Sequence, residues 1–400
     1  MICPWNPYFL PDETLFSALR NRITLCDTIF YSLLLCKSLR RKCRKKFGYS
    51  EKRFYFCSER MNKKIVTFGE LLLRFSKQNR MRLTQGQTFA GAYGGSEANV
   101  AVSLAMMGDD VEYVTRLPKN QIGQAASMKL LEYGVGMPDT LWGGDRMGTY
   151  YYEESAGMRS SKVVYDRANS AFFELKPGML DWHEILRDAD VFHASGITGA
   201  ISKDSCEATF EALRIADEMG KTISFDINHR KNLWKYGADP RDTLSRMLEY
   251  ADVVFGDIIE YEFIMDRHVP FEATDSNYEM PLDFYEEWFD EIHSRFPRCN
   301  KWLMGMRNMM SSSHNTLTAL LWSDGKLYHT RIDDIHDIVD AMGVGDAFTA
   351  GQLHALRAFP GDDQRVLDFA LAAATLKYSV PGDANLCTEA EILDFLETVG

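Results

Sequence analysis

The stretch IHDIVDAMGVGDAFTAGQLHAL, residues 335–356, passes directly from an extended segment through a glycine-rich turn into a helix. Its first six residues, up to Asp340, are partly apolar and extended in pattern, whereas residues 347–356 have helical periodicity. The turn at residues 343–346 therefore lies at the start of a helix. Glycines there let the backbone approach a ligand closely, and the free N–H groups of a first helical turn favour an anion such as phosphate.

Asp346 is the candidate catalytic base of this turn. From the first helical turn its carboxylate can accept the proton of an attacking hydroxyl group. The N–H groups of Gly343, Val344 and Gly345, with the positive end of the helix dipole, would stabilise the charge that develops as a phosphoryl group moves. The motif is short, however, and a plain loop that ends in a helix cap is the alternative interpretation.

Short apolar runs rich in Val, Ile and Phe recur through residues 61–400, separated by segments of helical period. This alternation predicts a doubly wound α/β domain with a mostly parallel buried sheet, whose ligands lie at the carboxyl ends of the strands. The candidate strands are residues 65–68, 111–115, 189–194, 222–226, 251–255, 301–304 and 318–322, and the candidate helices include residues 99–107, 206–219 and 240–250.

Two segments, residues 71–93 and 143–174, interrupt the alternation. They are polar and aromatic, and parts of them, such as YYY at residues 150–152, alternate weakly in the manner of strands. We expect them to form a small β-sheet that projects over the main domain as a lid.

Composition limits the kinds of protein this can be. The 400 residues are 46% hydrophobic and 26% charged, which is typical of a globular chain with a large core. The net charge is -12, although residues 1–60 hold 12 Lys/Arg against 5 Asp/Glu. The remainder is therefore strongly acidic, which argues against a broad nucleic-acid interface. The eight cysteines show no CxxC pair, and we expect reduced thiols in a cytoplasmic protein.

Residues 1–60 differ from the rest of the chain. An apolar run at residues 23–36 is followed by the basic cluster RRKCRKK at residues 40–46. The run is too short for a comfortable membrane span, and its charge follows the apolar part, unlike a signal peptide. We expect a non-native or disordered extension ahead of a start at Met61, with no membrane partner. An interfacial anchor is the alternative.

Two motifs resemble those of a known family. DAMGVGD at residues 340–346 is similar to the Asp-x-x-Gly-x-Gly-Asp signature of the ribokinase-like (PfkB) carbohydrate kinases, and GGSEANVA at residues 94–101 is similar to their Gly-Gly-x-x-x-Asn-x-Ala signature. The resemblance covers essentially all of residues 61–400. It implies a ribokinase-like fold and an ATP-dependent sugar kinase that uses Mg²⁺, with Asp346 as its base.

The resemblance also assigns roles to individual residues. It implies sugar contacts for Gly95, through its backbone, and for Asn99, through its amide. In DINHR at residues 226–230 it implies that Arg230 reaches phosphate oxygens at the transfer point. On the nucleotide side it implies Asn228, Asp257 (where the family has Asn), Arg307 and Asn385, together with Glu260, which would hold magnesium through water.

Within the family the chain most resembles the 2-keto-3-deoxygluconate kinases, which phosphorylate the 6-hydroxyl of a sugar acid. YDRANSA at residues 165–171 and YSVPGDAN at residues 378–385 carry this resemblance. A carboxylate substrate needs a local cation and hydroxyl donors, and Arg167, Tyr165 and Tyr151 can supply them from one β layer. Tyr and Arg are equally typical of a dimer contact, and a homo-oligomer is expected.

Other functions stay open at this point. A fructokinase or another neutral-sugar kinase of the family is the first alternative, and a catalytically silent sugar-binding regulator is the second. A dinucleotide-binding enzyme is disfavoured, because FGE at residues 68–70 follows the first strand in place of a Gly-x-Gly-x-x-Gly motif. Ala341 replaces a residue that is often Thr or Arg in the family, which removes a polar contact beside the turn.

Overall fold

A mixed nine-stranded sheet forms the centre of the computed structural model, which describes residues 64–269 and 281–399. The expectation for residues 1–60 lies outside the described residues. Within the described residues the strands are β1 (Lys64–Phe68), β2 (Leu72–Ser76), β3 (Ala90–Gly94), β4 (Asp110–Val114), β5 (Arg116–Leu117), β6 (Leu141–Trp142), β7 (Thr149–Glu153), β8 (Lys162–Asp166), β9 (Ala189–Ser195), β10 (Thr222–Asp226), β11 (Val253–Asp257), β12 (Lys301–Ser311), β13 (His314–Ser323), β14 (Lys326–His329) and β15 (Asp333–His336).

The order of the main sheet is β14-β13-β12-β11-β10-β9-β1-β4, with β15 also paired to β13. Neighbouring strands from β4 to β12 run parallel, whereas the pairs formed by β13 are antiparallel. Each candidate strand of the sequence is found. The predicted doubly wound, mostly parallel sheet is therefore confirmed.

Helices cover both faces of the main sheet, and the alternation of side chains along the strands explains why. Ile65 packs with one helical layer and Val66 with the other, and Val253 and Val254 divide in the same way. The described helices are α1 (Ser96–Met106), α2 (Gln121–Glu132), α3 (Trp182–Ile185), α4 (Gly196–Gly199), α5 (Lys203–Glu218), α6 (Pro240–Leu248), α7 (Ile258–Met265), α8 (Leu282–Arg295), α9 (Val344–Ala358), α10 (Asp363–Lys377) and α11 (Glu389–Val399).

Strands β3, β2, β7 and β8 form a separate four-stranded sheet, in that order, from the two segments predicted to be a lid. Its faces differ because side chains alternate along each strand. Arg74 and Tyr150 are buried on the inner face, whereas Tyr151 stacks on Phe75 with ring centroids 5.5 Å apart. Phe75 and Tyr151 are register partners in β2 and β7, so the outer face carries its own aromatic cluster with Phe89.

Among the described residues no helix is both long and apolar enough to cross a bilayer.

Substituting Phe225 tests the packing of the central strand β10. Phe225 is fully buried among the side chains beneath α5 and α6, so Phe225→Ala should lower the free energy of unfolding by about 3–5 kcal/mol. Thr222→Ala, at the exposed start of the same strand, should change it by less than about 0.5 kcal/mol. Urea unfolding followed by tryptophan fluorescence measures both, and similar losses for the two variants would contradict the packing described.

Candidate active site

A cleft lies between the small sheet and the carboxyl ends of β1, β9 and β10. This is the edge at which the sequence predicts ligands. The predicted site residues that line it are Gly95, Asn99, Tyr165, Arg167, Asn228, Arg230, Gly343 and Asp346. The structure thus brings together residues that are as far apart in the chain as 95 and 346.

Asp346 is held by two side chains from the opposite helix. Ser96 Oγ donates to Asp346 Oδ1 and Asn99 Nδ2 donates to Asp346 Oδ2, each at 2.7 Å. Ser96 and Asn99 are three residues apart on α1 and therefore share one face of that helix. Both carboxylate oxygens are oriented before any substrate arrives.

Asn228 extends this arrangement to a third element. Its Nδ2 donates to Ser96 Oγ at 2.7 Å, so that a chain of hydrogen bonds runs from Asn228 through Ser96 to Asp346. Asn228 has a φ of 40° in the turn that follows β10. Few non-glycine residues adopt this backbone conformation. From it, the side-chain amide of Asn228 reaches Ser96. The chain of hydrogen bonds ties the ends of β10, α1 and α9 to one another.

Gly343 fixes the turn that precedes α9. It caps the helix in the left-handed region, with a φ of 77°. A Cβ atom at Gly343 would lie 1.7 Å from the carbonyl oxygen of Asp383, so the chain admits only glycine there. Asp346 is the third residue of α9, where backbone N–H groups have no intrahelical acceptor. The glycine turn thus leads directly into a helix, as the sequence predicts, and anion binding at this turn stays a prediction.

Gly95 has a similar constraint at the start of α1. A Cβ atom on Gly95 would lie 2.3 Å from the carbonyl oxygen of Glu70. The backbone of Gly95 also donates to Asn99 Oδ1 at 3.3 Å. The side-chain oxygen of Asn99 therefore accepts from Gly95, and its side-chain nitrogen donates to Asp346. Orienting Asp346 is the role of Asn99 that these contacts support, beside the sugar contact that the resemblance implies.

The electrostatics of Asp346 are set by opposing effects. Burial raises the pKa of the Asp346 carboxyl above its ordinary value, while the hydrogen bonds from Asn99 and Ser96 and the charge of Arg230 lower it. A base must be ionised to accept a proton. The two hydrogen-bond donors on α1 therefore keep a buried carboxylate usable as a base.

A group of acids lies near Asp346 at the ends of β10 and β11. Glu260 accepts from the backbone N–H of His229 at 2.7 Å and of Asp257 at 3.0 Å. Burial, with the charge of Asp257, raises the pKa of Glu260 to about 7, and Arg230 opposes the rise. Burial and the nearby Glu260 also raise the pKa of Asp226 well above its usual range.

Arg230 is the cation that faces this acidic group. Its side chain is 46% exposed, and its Nη1 lies 3.8 Å from Glu260 Oε1, which is a loose ion pair. Arg230 lines the cleft, so most of its donors remain available to a ligand. This placement fits the phosphate contact that the sequence predicts.

Arg167 is held by a buried acid that the sequence reading did not single out. Glu70 Oε2 accepts from Arg167 Nε at 2.7 Å and from Nη2 at 2.6 Å, and Ser170 Oγ donates to the other oxygen of Glu70. The Arg167 side chain is only 6% exposed. Its Nη1 is buried without a hydrogen-bond partner among the described residues. Arg167 and Tyr165 both line the cleft, as their spacing predicts.

Several predicted residues are not brought to the cleft. Tyr151 lies on the outer face of the small sheet, because the period of two points Tyr150 inward instead. Asn385 is 1% exposed, and its amide bonds the Ala373 carbonyl and the Cys387 N–H, so its side chain is not offered to a nucleotide. The outer aromatic face suits the dimer-contact interpretation of Tyr151.

The remaining nucleotide-side predictions lie along one edge of the main sheet. Asp257 caps α7 by accepting from the Glu260 N–H at 2.9 Å, which gives the Asp in place of Asn a structural role. Arg307 is exposed on β12, two residues beyond Gly305, which is the register partner of Asp257. Val344 and Gly345 begin α9. Nucleotide contacts for these residues stay predictions.

Ser96, Glu70, Glu97 and Asp383 are functional candidates that the sequence reading missed. Ser96 could have been found, since it shares a helical face with Asn99. Glu97 is 1% exposed and accepts from Ser195 Oγ at 2.6 Å and Thr198 Oγ1 at 2.8 Å, which fixes α1 to the end of β9. Spacing cannot reveal such pairings, because their partners are distant in the chain.

Comparisons with known proteins agree with this geometry. A family model described as pfkB family carbohydrate kinase matches residues 62–277. A 2-dehydro-3-deoxygalactonokinase of Haloferax volcanii is 30% identical over 336 residues, which are 83% of this chain and 96% of that protein. A probable fructokinase-3 of Arabidopsis thaliana is 26% identical over 359 residues, covering 83% of this chain and 91% of that protein.

Solved structures agree as well. The crystal structure of 2-dehydro-3-deoxygluconokinase from Thermotoga maritima has a TM-score of 0.77 at 34% identity and covers 84% of this chain and 99% of that chain. The ribokinase-like fold that the motifs predict is confirmed.

Replacing Asp346 tests its role as the base. Asp346→Asn keeps the size of the side chain but removes the proton acceptor, so kcat for phosphoryl transfer should fall by about 10²–10⁴-fold with nucleotide affinity largely kept. Steady-state kinetics and calorimetric titration measure the two quantities. Asp394→Asn, the same charge change at an exposed position of α11, is the control. Near-full activity of Asp346→Asn would remove Asp346 from the mechanism.

Removing the Ser96 hydroxyl tests the tuning of the base. The Ser96 bond stabilises the carboxylate, so Ser96→Ala should raise the pKa of Asp346 further, and activity should be lost at a higher pH on the acidic side than in the wild type. The pH profile of kcat measures this shift. Ser103→Ala on the same helix, whose hydroxyl bonds only the Asn99 carbonyl, should leave the profile unchanged. An unshifted acidic limb in Ser96→Ala would contradict the role of Ser96.

Proposed function

The chain belongs to the pfkB family of carbohydrate kinases, and from this premise we propose that it phosphorylates the 6-hydroxyl of 2-keto-3-deoxygluconate, with ATP as the donor and Mg²⁺ as the cation. Support for a sugar acid comes from relatives whose names specify 2-dehydro-3-deoxy sugar acids and from the guanidinium of Arg167, which lines the cleft. The galactonate epimer is the second candidate, because the Haloferax volcanii relative is named for it.

The observation that carries the proposal is the unsatisfied Nη1 of Arg167. A buried donor without an acceptor costs about 1–3 kcal/mol, and a substrate carboxylate that accepts from it would remove this cost. Glu70 occupies Nε and Nη2, so it orients the guanidinium and leaves one edge toward the cleft. A bond between a guanidinium and a carboxylate is charge-assisted and therefore strong.

Hydroxyl groups around Arg167 complete a site suited to a polar substrate. Tyr165 and Tyr150 line the same cleft from β8 and β7. Burial, together with the charge of Asp383, raises the pKa of Tyr150 well above its ordinary value, so its hydroxyl keeps its proton. The Tyr165 hydroxyl can donate to and accept from sugar oxygens, whereas the Tyr150 hydroxyl already donates to Asp383 and is left as an acceptor.

Asp346 performs the proton transfer in this proposal. Its carboxylate accepts the proton of the acceptor hydroxyl as that oxygen attacks the terminal phosphorus of ATP, and the bond from that phosphorus to the bridging oxygen of ADP breaks. Ser96 and Asn99 hold the carboxylate in place throughout. Positioning of this kind supplies a large part of the rate in phosphoryl transfer.

The start of α9 and Arg230 stabilise the moving charge. The backbone N–H groups of residues 343–346 and the positive end of the α9 dipole are suited to the oxygens of the transferring phosphoryl group. Arg230, half exposed in the cleft, adds forked donors. The small sheet lies over the cleft and would exclude water, a competing acceptor.

The acids near Arg230 fit a divalent cation. Burial and the charge of Glu260 raise the pKa of Asp226, and burial and the charge of Asp257 raise the pKa of Glu260, so a cation beside these carboxylates would relieve their repulsion. Both oxygens of Glu260 already accept backbone N–H groups, which fits a hold on Mg²⁺ through water. When bound, Mg²⁺ would neutralise charge on the ATP phosphates.

Substrate comparison with an Arg167 variant tests the acceptor. The wild type should prefer 2-keto-3-deoxygluconate or its galactonate epimer over fructose and ribose in a coupled assay for ADP. Arg167→Lys keeps a cation for Glu70 but loses the free Nη1, so KM for the sugar acid should rise about 10- to 100-fold. Residual activity on neutral sugars should not change.

Arg146→Lys is the matched control, because it changes an exposed ion pair with Asp166 in the same segment. It should leave both KM values unchanged. Equal losses on acid and neutral sugars in Arg167→Lys would assign Arg167 to the scaffold, and a wild type that prefers fructose would make the chain a neutral-sugar kinase.

A further inference from the structure

Arg74, on the inner face of the small sheet, joins two carboxylates that belong to different loops of the main domain. Its Nη2 lies 2.9 Å from Asp340 Oδ2, and its Nη1 donates to Asp383 Oδ1. The side chains of Arg74, Asp340 and Asp383 are 3%, 6% and 5% exposed. We call these three residues the Arg74 clamp. A guanidinium is suited to this task, because its fork can bind two carboxylates at once.

The clamped acids hold the backbone of the turn that begins α9. Asp340 Oδ1 accepts from the Met342 N–H at 3.0 Å, and Asp340 Oδ2 accepts from the Gly382 N–H at 3.1 Å. The carbonyl of Asp383 lies against Gly343, where it leaves no room for a Cβ atom. The residues before Asp346 and the residues around Asp383 therefore form one packed unit.

The small sheet adds further contacts to the same unit. The hydroxyl of Tyr150 on β7 donates to Asp383 Oδ2, and the ring of Tyr152 lies 4.5 Å from the guanidinium carbon of Arg74. Both tyrosines belong to the inner face of the small sheet. The sheet is thus attached to the turn through β2 and through β7.

A buried lysine holds the backbone of the same unit. Lys377 at the end of α10 is fully buried, and its Nζ donates to the carbonyl oxygens of Val380 at 2.9 Å and Asp340 at 3.4 Å. Lys377 therefore ties the backbone of Asp340 to that of Val380, on the two chain segments that Arg74 also joins.

We propose that Arg74 is a positioning residue that makes the geometry of the turn at residues 340–346 depend on the seating of the small sheet over the cleft. Arg74 does not line the cleft itself and acts through Asp340 and Asp383. Asp383 does line it, beside Gly343 and Asp346. Closure of the site over a sugar and alignment of the base are then one event.

Arg74→Lys tests the coupling. A lysine keeps the buried positive charge, but its single ammonium group cannot reproduce the fork that reaches both acids. The turn should be misaligned, and kcat should fall about 10- to 100-fold with KM for both substrates changed less than about threefold. The assay uses whichever sugar the wild type phosphorylates best, so the outcome does not depend on the sugar-acid assignment.

Arg116→Lys is the control for a merely structural effect. Arg116 is also largely buried and bonds Glu174 and the Ala171 carbonyl, away from the turn. Its substitution should lower the midpoint of thermal unfolding without changing kcat. A wild-type kcat in folded Arg74→Lys would overturn the proposal, even if that variant were less stable.

Tyr150→Phe keeps the proposal testable if Arg74→Lys does not fold. It removes the bond that reaches Asp383 from β7 and leaves the ion pairs intact. We expect a smaller fall in kcat, about 3- to 10-fold, again with folding retained. An unchanged kcat in this variant would likewise contradict the coupling of the small sheet to the turn.

Discussion

The close approach of α1 and α9 around one carboxylate is the constraint on which the site depends. Asp346 receives a donor at each oxygen from Ser96 and Asn99, and such charge-assisted hydrogen bonds are each worth about 1.5–3 kcal/mol. They are possible only because Gly95 lets the start of α1 lie against the backbone of Glu70. The position of the base is thus decided by backbone packing, at the place where β1 ends.

The cleft contains more acids than cations, and each acid has a defined set of partners. Glu70 is ion-paired with Arg167 and Asp383 with Arg74, whereas Glu97 accepts hydrogen bonds from the hydroxyls of Ser195 and Thr198. Burial accordingly raises the pKa of Glu97, which has no cation among its hydrogen-bond donors. Of the two arginines that line the cleft, Arg167 is therefore paired with a buried acid, whereas Arg230 is half exposed and only loosely paired.

Much of the fold could be predicted from the sequence, because buried parallel strands and the helices between them each have a recognisable local pattern of apolar residues. The glycine turn at residues 343–346 could be placed for the same reason. The sequence does not show which face of the small sheet Tyr151 occupies. Successive residues of a strand point to opposite faces, and three identical tyrosines do not reveal which of them point inward. The ion pairs of Arg74 and Arg167 were also out of reach, because Asp383 and Glu70 are 309 and 97 residues away from them. Pairings of this kind are fixed by tertiary packing and leave no spacing signal.

The three tyrosines of β7 have a consequence for how this small sheet can vary among related chains. Tyr150 and Tyr152 face inward and Tyr151 faces outward, so a single-residue insertion or deletion in β7 would exchange the two surfaces. The hydroxyl now bonded to Asp383 would be turned to solvent, and the outer aromatic ring would enter the cleft. Length changes that survive selection should therefore be confined to the loops at either end of β7 or occur in steps of two residues. Only such changes keep each tyrosine of β7 on its present face of the small sheet.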